Sequence, residues 1–149
     1  MPMSPYVRSL RERIGHDLLL LPGVTAVIRD GDRFLLARQR DTERWSLIGG
    51  GIEPEETPQE AVAREVLEEL GVTPKLGTII GAYGGATLET TYPNGDRVAY
   101  VTTAFECRLP GSALRLETEE LLETGWFTRS DVDRLVRHEW IDTVLNDAG

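Results

Sequence analysis

The stretch Gly50–Val72, GGIEPEETPQEAVAREVLEELGV, decides how the rest of this 149-residue chain is read. A helix is signalled at both of its ends. Thr57 stands as N-cap, Pro58 takes the first helical position, where a missing N–H is tolerated, and Glu60 follows three residues after the cap as in a capping box. Gly71 supplies the stop, so the pattern predicts a helix over Pro58–Leu70. On it Glu65, Glu68 and Glu69 are spaced three and four apart and form one acidic stripe. Val62, Ala63, Val66, Leu67 and Leu70 fall on the adjacent arc, which is expected to pack into the core.

A glutamate-rich helix face is ordinarily solvated, and Arg64 lies four residues from both Glu60 and Glu68, the spacing of a routine stabilising pair. The flanking residues change that reading. Gly50, Glu56, Arg64, Glu65, Val66, Glu68, Glu69, Gly71 and Val72 fit G-x5-E-x7-R-E-U-x-E-E-x-G-U, with U a bulky aliphatic residue. At average residue frequencies a chance match in a chain of this length is on the order of 10⁻⁷. The stretch resembles the Nudix box, and the chain is similar to the Nudix hydrolases.

The resemblance implies an α+β fold in which a mixed β-sheet is sandwiched between helices (α/β/α). It also implies a Mg²⁺- or Mn²⁺-dependent pyrophosphohydrolase. Such an enzyme cleaves the diphosphate linkage of a nucleoside diphosphate derivative, ADP-ribose-like or a nucleoside triphosphate, by water attack at phosphorus. Glu65, Glu68 and Glu69 would be the metal core, Glu56 a further ligand, and Arg64 the brace that holds the glutamates. Hard cations of this kind take oxygen ligands. Family resemblance also implies a general base from an acidic residue well beyond the box. Glu117, Glu119, Glu120 and Glu123 precede Trp126, and Glu120 is the candidate. Glu55 departs from the family, which often has Gly there. The other class of reading is a catalytically silent nucleotide-binding domain that acts as a regulator or interaction module; the intact carboxylate set argues against it.

Outside the box the candidates concern substrate. Gly49, Gly50 and Gly51 allow a tight turn and a close backbone approach to a ligand. Arg38 and Arg40 alternate onto one face of a strand and could grip phosphate or a terminal ribose. Trp45 and Tyr83 could stack on a base. Leu88 stands sixteen residues past the box, where similar ADP-ribose hydrolases tend to have proline, and Tyr92 lies near the tyrosine position of dinucleoside polyphosphate hydrolases. The substrate subclass stays open.

The rest of the chain is consistent with a single domain spanning residues 1–149. An amphipathic helix is predicted over about 5–16, with Val7, Leu10 and Ile14 at helical spacing, covering the sheet or a partner subunit in a homodimer. Val24–Arg29 and Arg33–Gln39 read as strands joined by a hairpin at Asp30-Gly31-Asp32. Trp45–Ile48, Leu76–Tyr83 and Thr87–Tyr92 read as further extended pieces, Arg97–Leu109 as a central strand apolar on both faces, and Gly125–Thr128 as a short strand. Ser130 is expected to cap a final helical region over about 130–145. A net charge of −9 disfavours a nucleic acid polymer, whose affinity comes from neutralising phosphates. The longest apolar run, Leu18–Leu21, is too short to cross a bilayer and is stopped by Pro22-Gly23. With no leader pattern and a single cysteine, Cys107, a cytoplasmic location and a small nucleotide-type substrate are expected.

Overall fold

Alternation along the first long strand sets the architecture. In the computed structural model, which describes residues 3–149, strand β1 (Leu19–Asp30) turns Val24, Ala26 and Ile28 to one side and Val27 to the other. On the first side they meet Ala61, Val62, Val66 and Leu70 of helix α2 (Pro58–Leu70). On the second side Val27 meets Ile141, Val144 and Leu145 of helix α4 (Trp140–Ala148). Strand β2 (Arg33–Gln39) splits the same way, Leu35 and Ala37 toward α2 and Phe34 and Leu36 toward α4. Two apolar cores on opposite faces of one sheet make the α/β/α sandwich, and each fully buried aliphatic side chain in them contributes on the order of 2 kcal/mol.

The other strands are β3 (Trp45–Ser46), β4 (Ile48–Gly51), β5 (Lys75–Tyr83), β6 (Glu89–Thr91), β7 (Arg97–Arg108) and β8 (Leu121–Thr128). The main path runs β3-β2-β1-β7-β5, with β4 on β1, β6 on β7 and β8 on β2. β1 and β7 are parallel from Leu19 opposite Val98 to Ile28 opposite Cys107, while the other pairs are antiparallel, so the sheet is mixed. β7 lies between β1 and β5, the central placement its two apolar faces predict. The β1–β2 hairpin closes with Asp30 opposite Arg33.

Four expectations are corrected. β1 begins at Leu19 and passes straight through Pro22-Gly23; Pro22 has no N–H to give, and its carbonyl accepts from the Ile52 N–H at 3.1 Å. Residues 86–88 form a 3₁₀ turn after Gly85 (φ 97), which leaves only Glu89–Thr91 as strand. Trp45–Ile48 is not one piece but β3 and the start of β4, which join different partners, β2 and β1. The C-terminal helical region is two helices, α3 (Arg129–Val132) and α4, and its N-cap is Thr128, whose Oγ1 accepts from the Asp131 N–H, not Ser130. The segment between them turns and then bridges β3 at Arg137, which breaks the helix: Trp45 N–H donates to Val136 O at 2.9 Å and His138 N–H to Trp45 O at 3.0 Å.

Helix α1 (Pro5–Ile14) ends on Gly15 at φ 63 and is fastened to its own chain. Arg11 sits on its apolar side, 9% exposed, and donates to the carbonyls of Gly15, Asp17 and Arg97 at 3.1, 2.6 and 2.7 Å.

Candidate active site

Helix α2 forms as its local signals predict. Thr57 Oγ1 accepts from Glu60 N–H, Glu60 returns the bond to Thr57 N–H, and Gly71 closes the far end in the left-handed region at φ 72. The acidic stripe does not stay together. At about 100° per residue, Glu65 and Glu69 fall inside the arc bounded by Ala61 and Leu70, whereas Glu68 falls outside it. Accordingly Glu65 is fully buried, Glu69 is 7% exposed, and Glu68 faces solvent. Leu67 also lies beyond that arc and is half exposed, contrary to the expectation that it packs inward.

Arg64 gathers the carboxylates. Its Nη1 donates to Glu65 Oε1 at 3.0 Å and reaches Glu68 at 3.3 Å, while Nε and Nη2 grip both oxygens of Glu56. Nη2 also donates to Gly51 O at 2.9 Å. The Glu60 pairing open to Arg64 by spacing is not formed, since Glu60 is used in the capping box. Glu56 is further fixed by the Glu53 N–H at 2.9 Å. The loop that presents it carries Glu55 at φ 71, a left-handed backbone that explains why glycine is usual there.

The electrostatics separate the four acids. The Arg64 hydrogen bonds hold Glu56 below the usual carboxylate range against a smaller opposing effect of burial. Burial pushes Glu65 up to about 7, with Arg64 opposing and Glu68 reinforcing. Burial raises Glu69 well above the ordinary value, and the charge of Glu65 adds to it. Glu65 Oε2 is buried without a hydrogen-bond partner. Among the described residues no three carboxylate, imidazole or thiol groups converge on a common centre. Glu56, Glu65 and Glu68 gather on Arg64 instead and Glu69 stands apart from it, so the structure does not assemble the expected ligand set around one point.

The three glycines before the helix are not a turn. They lie in β4, paired with β1 so that Gly49 faces Thr25 and Gly51 faces Gly23. A Cβ on Gly49 would stand 2.2 Å from Val24 O, so glycine here permits close strand packing. Beyond this strand opens a cleft of about 1560 Å³, larger than the roughly 300–1,000 Å³ of an ordinary ligand pocket. Glu69, Gly50, Gly51, Glu53, Arg40 and Glu120 line it. Glu120 carries its backbone on Glu117 O and accepts Arg40 N–H at 2.8 Å; the Arg40 side chain donates to Thr118 O at 2.8 Å.

Three substrate candidates lie outside the cleft. Arg38 is paired with Glu123 of β8 at 2.8 Å, and Arg40 lies past the end of β2, so the two do not form a joint phosphate grip. Trp45 meets Phe127 edge-on with ring centroids 4.9 Å apart, and Tyr83 donates to Asp147 at 2.8 Å; both pack against the α4-side core. Residues not anticipated take their place on the cleft wall: Tyr100 and Thr102 from β7, and Arg11 from α1. The signal for Arg11 was an arginine set within the Val7, Leu10, Ile14 stripe, and that for β7 was the alternation Val98, Tyr100, Thr102.

The fold lays an acidic helix against one face of a mixed sheet, beside an open cleft. The family model for the NUDIX domain matches residues 19–147, and the chain belongs to the Nudix hydrolase family. It is similar to a MutT-like protein of Streptomyces ambofaciens, 32% identical over 106 residues that cover 71% of this chain and 62% of the relative. It is also similar to diphosphoinositol polyphosphate phosphohydrolase 3-alpha of Homo sapiens, 46% identical over 78 residues, 52% of this chain and 45% of the relative. The chain thus spans less than two thirds of either relative. A MutT NUDIX hydrolase from Burkholderia pseudomallei shares the fold with TM-score 0.73 at 23% identity, covering 88% of this chain and 99% of that one. Among the described residues no helix is long and apolar enough to cross a membrane.

Proposed function

We propose that this chain is a divalent-metal-dependent pyrophosphohydrolase that cleaves the diphosphate linkage of a nucleoside diphosphate derivative, with ADP-ribose-like compounds or nucleoside triphosphates as substrates. The observation that carries the reading is Glu65: a carboxylate with no solvent exposure and one oxygen without a partner, next to a second buried carboxylate, Glu69, that lines the cleft. Such a pair is costly when ionised, and is relieved either by taking up protons, as the raised values of both acids reflect, or by a cation that joins them. The donors are all carboxylate oxygens, which fits Mg²⁺ or Mn²⁺. Glu65 and Glu69 would hold the ion, with Glu68 and Glu56 as further ligands. When bound, such a cation offsets the charge of the diphosphate and acidifies an attacking water.

The protein's own groups do the rest. Arg64 keeps Glu56, Glu65 and Glu68 from repelling one another. Glu120 lines the same cleft as Glu69 and takes the proton of the attacking water. The polyphosphate named for the human relative is more highly charged than a chain of net charge −9 favours, which supports a nucleotide-type substrate with fewer phosphates. The test is a panel of nucleoside triphosphates and nucleoside diphosphate derivatives assayed for phosphate or nucleotide release with and without Mg²⁺. Turnover is expected on at least one, needing Mg²⁺ and lost in Glu69→Gln; absence of Mg²⁺-dependent cleavage across the panel refutes the reading.

A further inference from the structure

The cleft is longer than a diphosphate needs, and its far part is built by a helix that lies outside the stretch matched by the family model. Along β1, Thr25 opposite Gly49 marks the part near Glu69, and Leu21 opposite Tyr100 lies four residues away, about 13 Å. Toward that far part the lining includes Val7 of α1 and Ser4 before it, with Leu21, Val98 and Tyr100 as the floor and Thr102, opposite Gly23, between them and Glu69. None of these carries a charge. The Thr102 hydroxyl is already oriented by Thr25 Oγ1 at 2.7 Å, and the Tyr100 hydroxyl lies against that of Tyr92.

Of the charged residues that line the cleft beside α1, Glu89 is paired with Arg97 at 2.8 Å, and Arg11 and Asp96 hold the wall. Arg11 is used on three carbonyls and stands 3.6 Å from Asp96. Asp96, itself buried, takes His16 Nδ1 at 2.7 Å and Asn94 Nδ2 at 3.1 Å. This clamp joins α1 to the turn between β6 and β7, so the wall is fixed rather than a loose flap. A fixed wall of apolar and hydroxyl groups suits a ring that bears hydroxyls and no charge.

We propose that α1 is a specificity wall of this chain, and that Val7 and the floor residues Tyr100 and Thr102 hold the uncharged, hydroxyl-bearing ring attached to one side of the diphosphate. This rests on the hydrolase reading for the placement of the diphosphate, so the test uses binding of probes whose P–C–P bridge cannot be hydrolysed. Titration calorimetry with Mg²⁺ compares α,β-methylene-ADP-ribose with methylenediphosphonate, which lacks any ring. Wild-type protein is expected to bind the first at least tenfold more tightly. Val7→Trp, which fills the space, and Val7→Glu, which puts a charge on the wall, should each weaken the first probe tenfold or more and leave the second within twofold. Arg8→Trp, on the exposed side of the same helix, should change neither, and circular dichroism and melting temperature confirm folding of each variant.

Equal weakening of both probes by the Val7 variants, no weakening of either, or no preference of wild type for the ring-bearing probe overturns the assignment. Selective binding that depends on Val7 without hydrolysis of any panel compound would leave the subsite standing and refute the hydrolase reading instead. Hydrolysis indifferent to Val7 would do the reverse.

Discussion

Removing Arg64 while leaving the glutamates in place tests how the acidic helix is held together. Glu65 has no solvent exposure, and the Arg64 side chain is 26% exposed, so the pair is screened on one side only. Deleting the cation from a buried pair costs about 3–5 kcal/mol; the partial exposure of Arg64 lowers this, and Arg64→Met is expected to cost about 2–4 kcal/mol. For a chain of this size that is a fall in melting temperature of roughly 5–12 °C. Because burial raises Glu65 to about 7, the measurement is urea unfolding at about pH 9 in EDTA, where the carboxylate is ionised beside Arg64, with the m-value checked for constancy. Part of the cost is loss of the bonds to Glu56 and Gly51 O, so a second background separates the terms. In Glu65→Gln the buried charge is gone, and the cost of Arg64→Met should drop by at least half. A cost that is the same in both backgrounds would mean that Arg64 stabilises through the loop alone and that Glu65 is not a stranded charge.

Three other outcomes follow from single positions. Glu55→Gly relieves a left-handed backbone at φ 71, and after the extra chain entropy of glycine is deducted it should raise stability by about 0.5–1 kcal/mol in urea unfolding. A loss would show that the Glu55 side chain has a role of its own. Gly49→Ala places a Cβ 2.2 Å from Val24 O and should cost about 2 kcal/mol or more while cutting turnover, because β4 must move away from β1; unchanged melting would refute the close-packing account. Asp142 is held below the ordinary aspartate value first by its hydrogen bonds to Arg137. A depressed folded pKa means its contribution is present above the unfolded value near 3.8 and is lost as pH falls through the folded one. The wild-type acid limb between about pH 4 and 2 should therefore be steeper than that of Arg137→Met, and identical limbs would count against the pair.

What was legible in the chain was whatever local chemistry determines. The capping box, the proline at the first helical position and the Gly71 stop delimit α2 to the residue, because each acts on backbone groups within one turn. The Asp30-Gly31 hairpin is likewise local. Errors came where a distant partner decides. Pro22-Gly23 stays in a strand because β7 and β4 lie on either side of β1, and the C-terminal region breaks in two because Trp45, some ninety residues earlier, binds its middle. Arg38 was readable as a cation on a strand, but not that β8 would bring Glu123 against it.

The site was legible as a motif and misread as a surface. Grouping Glu65, Glu68 and Glu69 by their spacing makes one stripe, yet the angular positions put Glu65 and Glu69 among the residues that pack on the sheet. A helix designed for stability alone would carry leucine at both, since a buried carboxylate is stabilising only when it is paired. Arg64 pairs one oxygen of Glu65 and contacts Glu68 and Glu56, but the second oxygen of Glu65 is left bare and no arginine is bonded to Glu69 in this network. The misfit between what stabilises the helix and what the helix contains is concentrated at two adjacent turns beside a cleft. Departures of that kind mark functional positions more often than structural ones, and the divalent cation proposed above would pair both carboxylates at once.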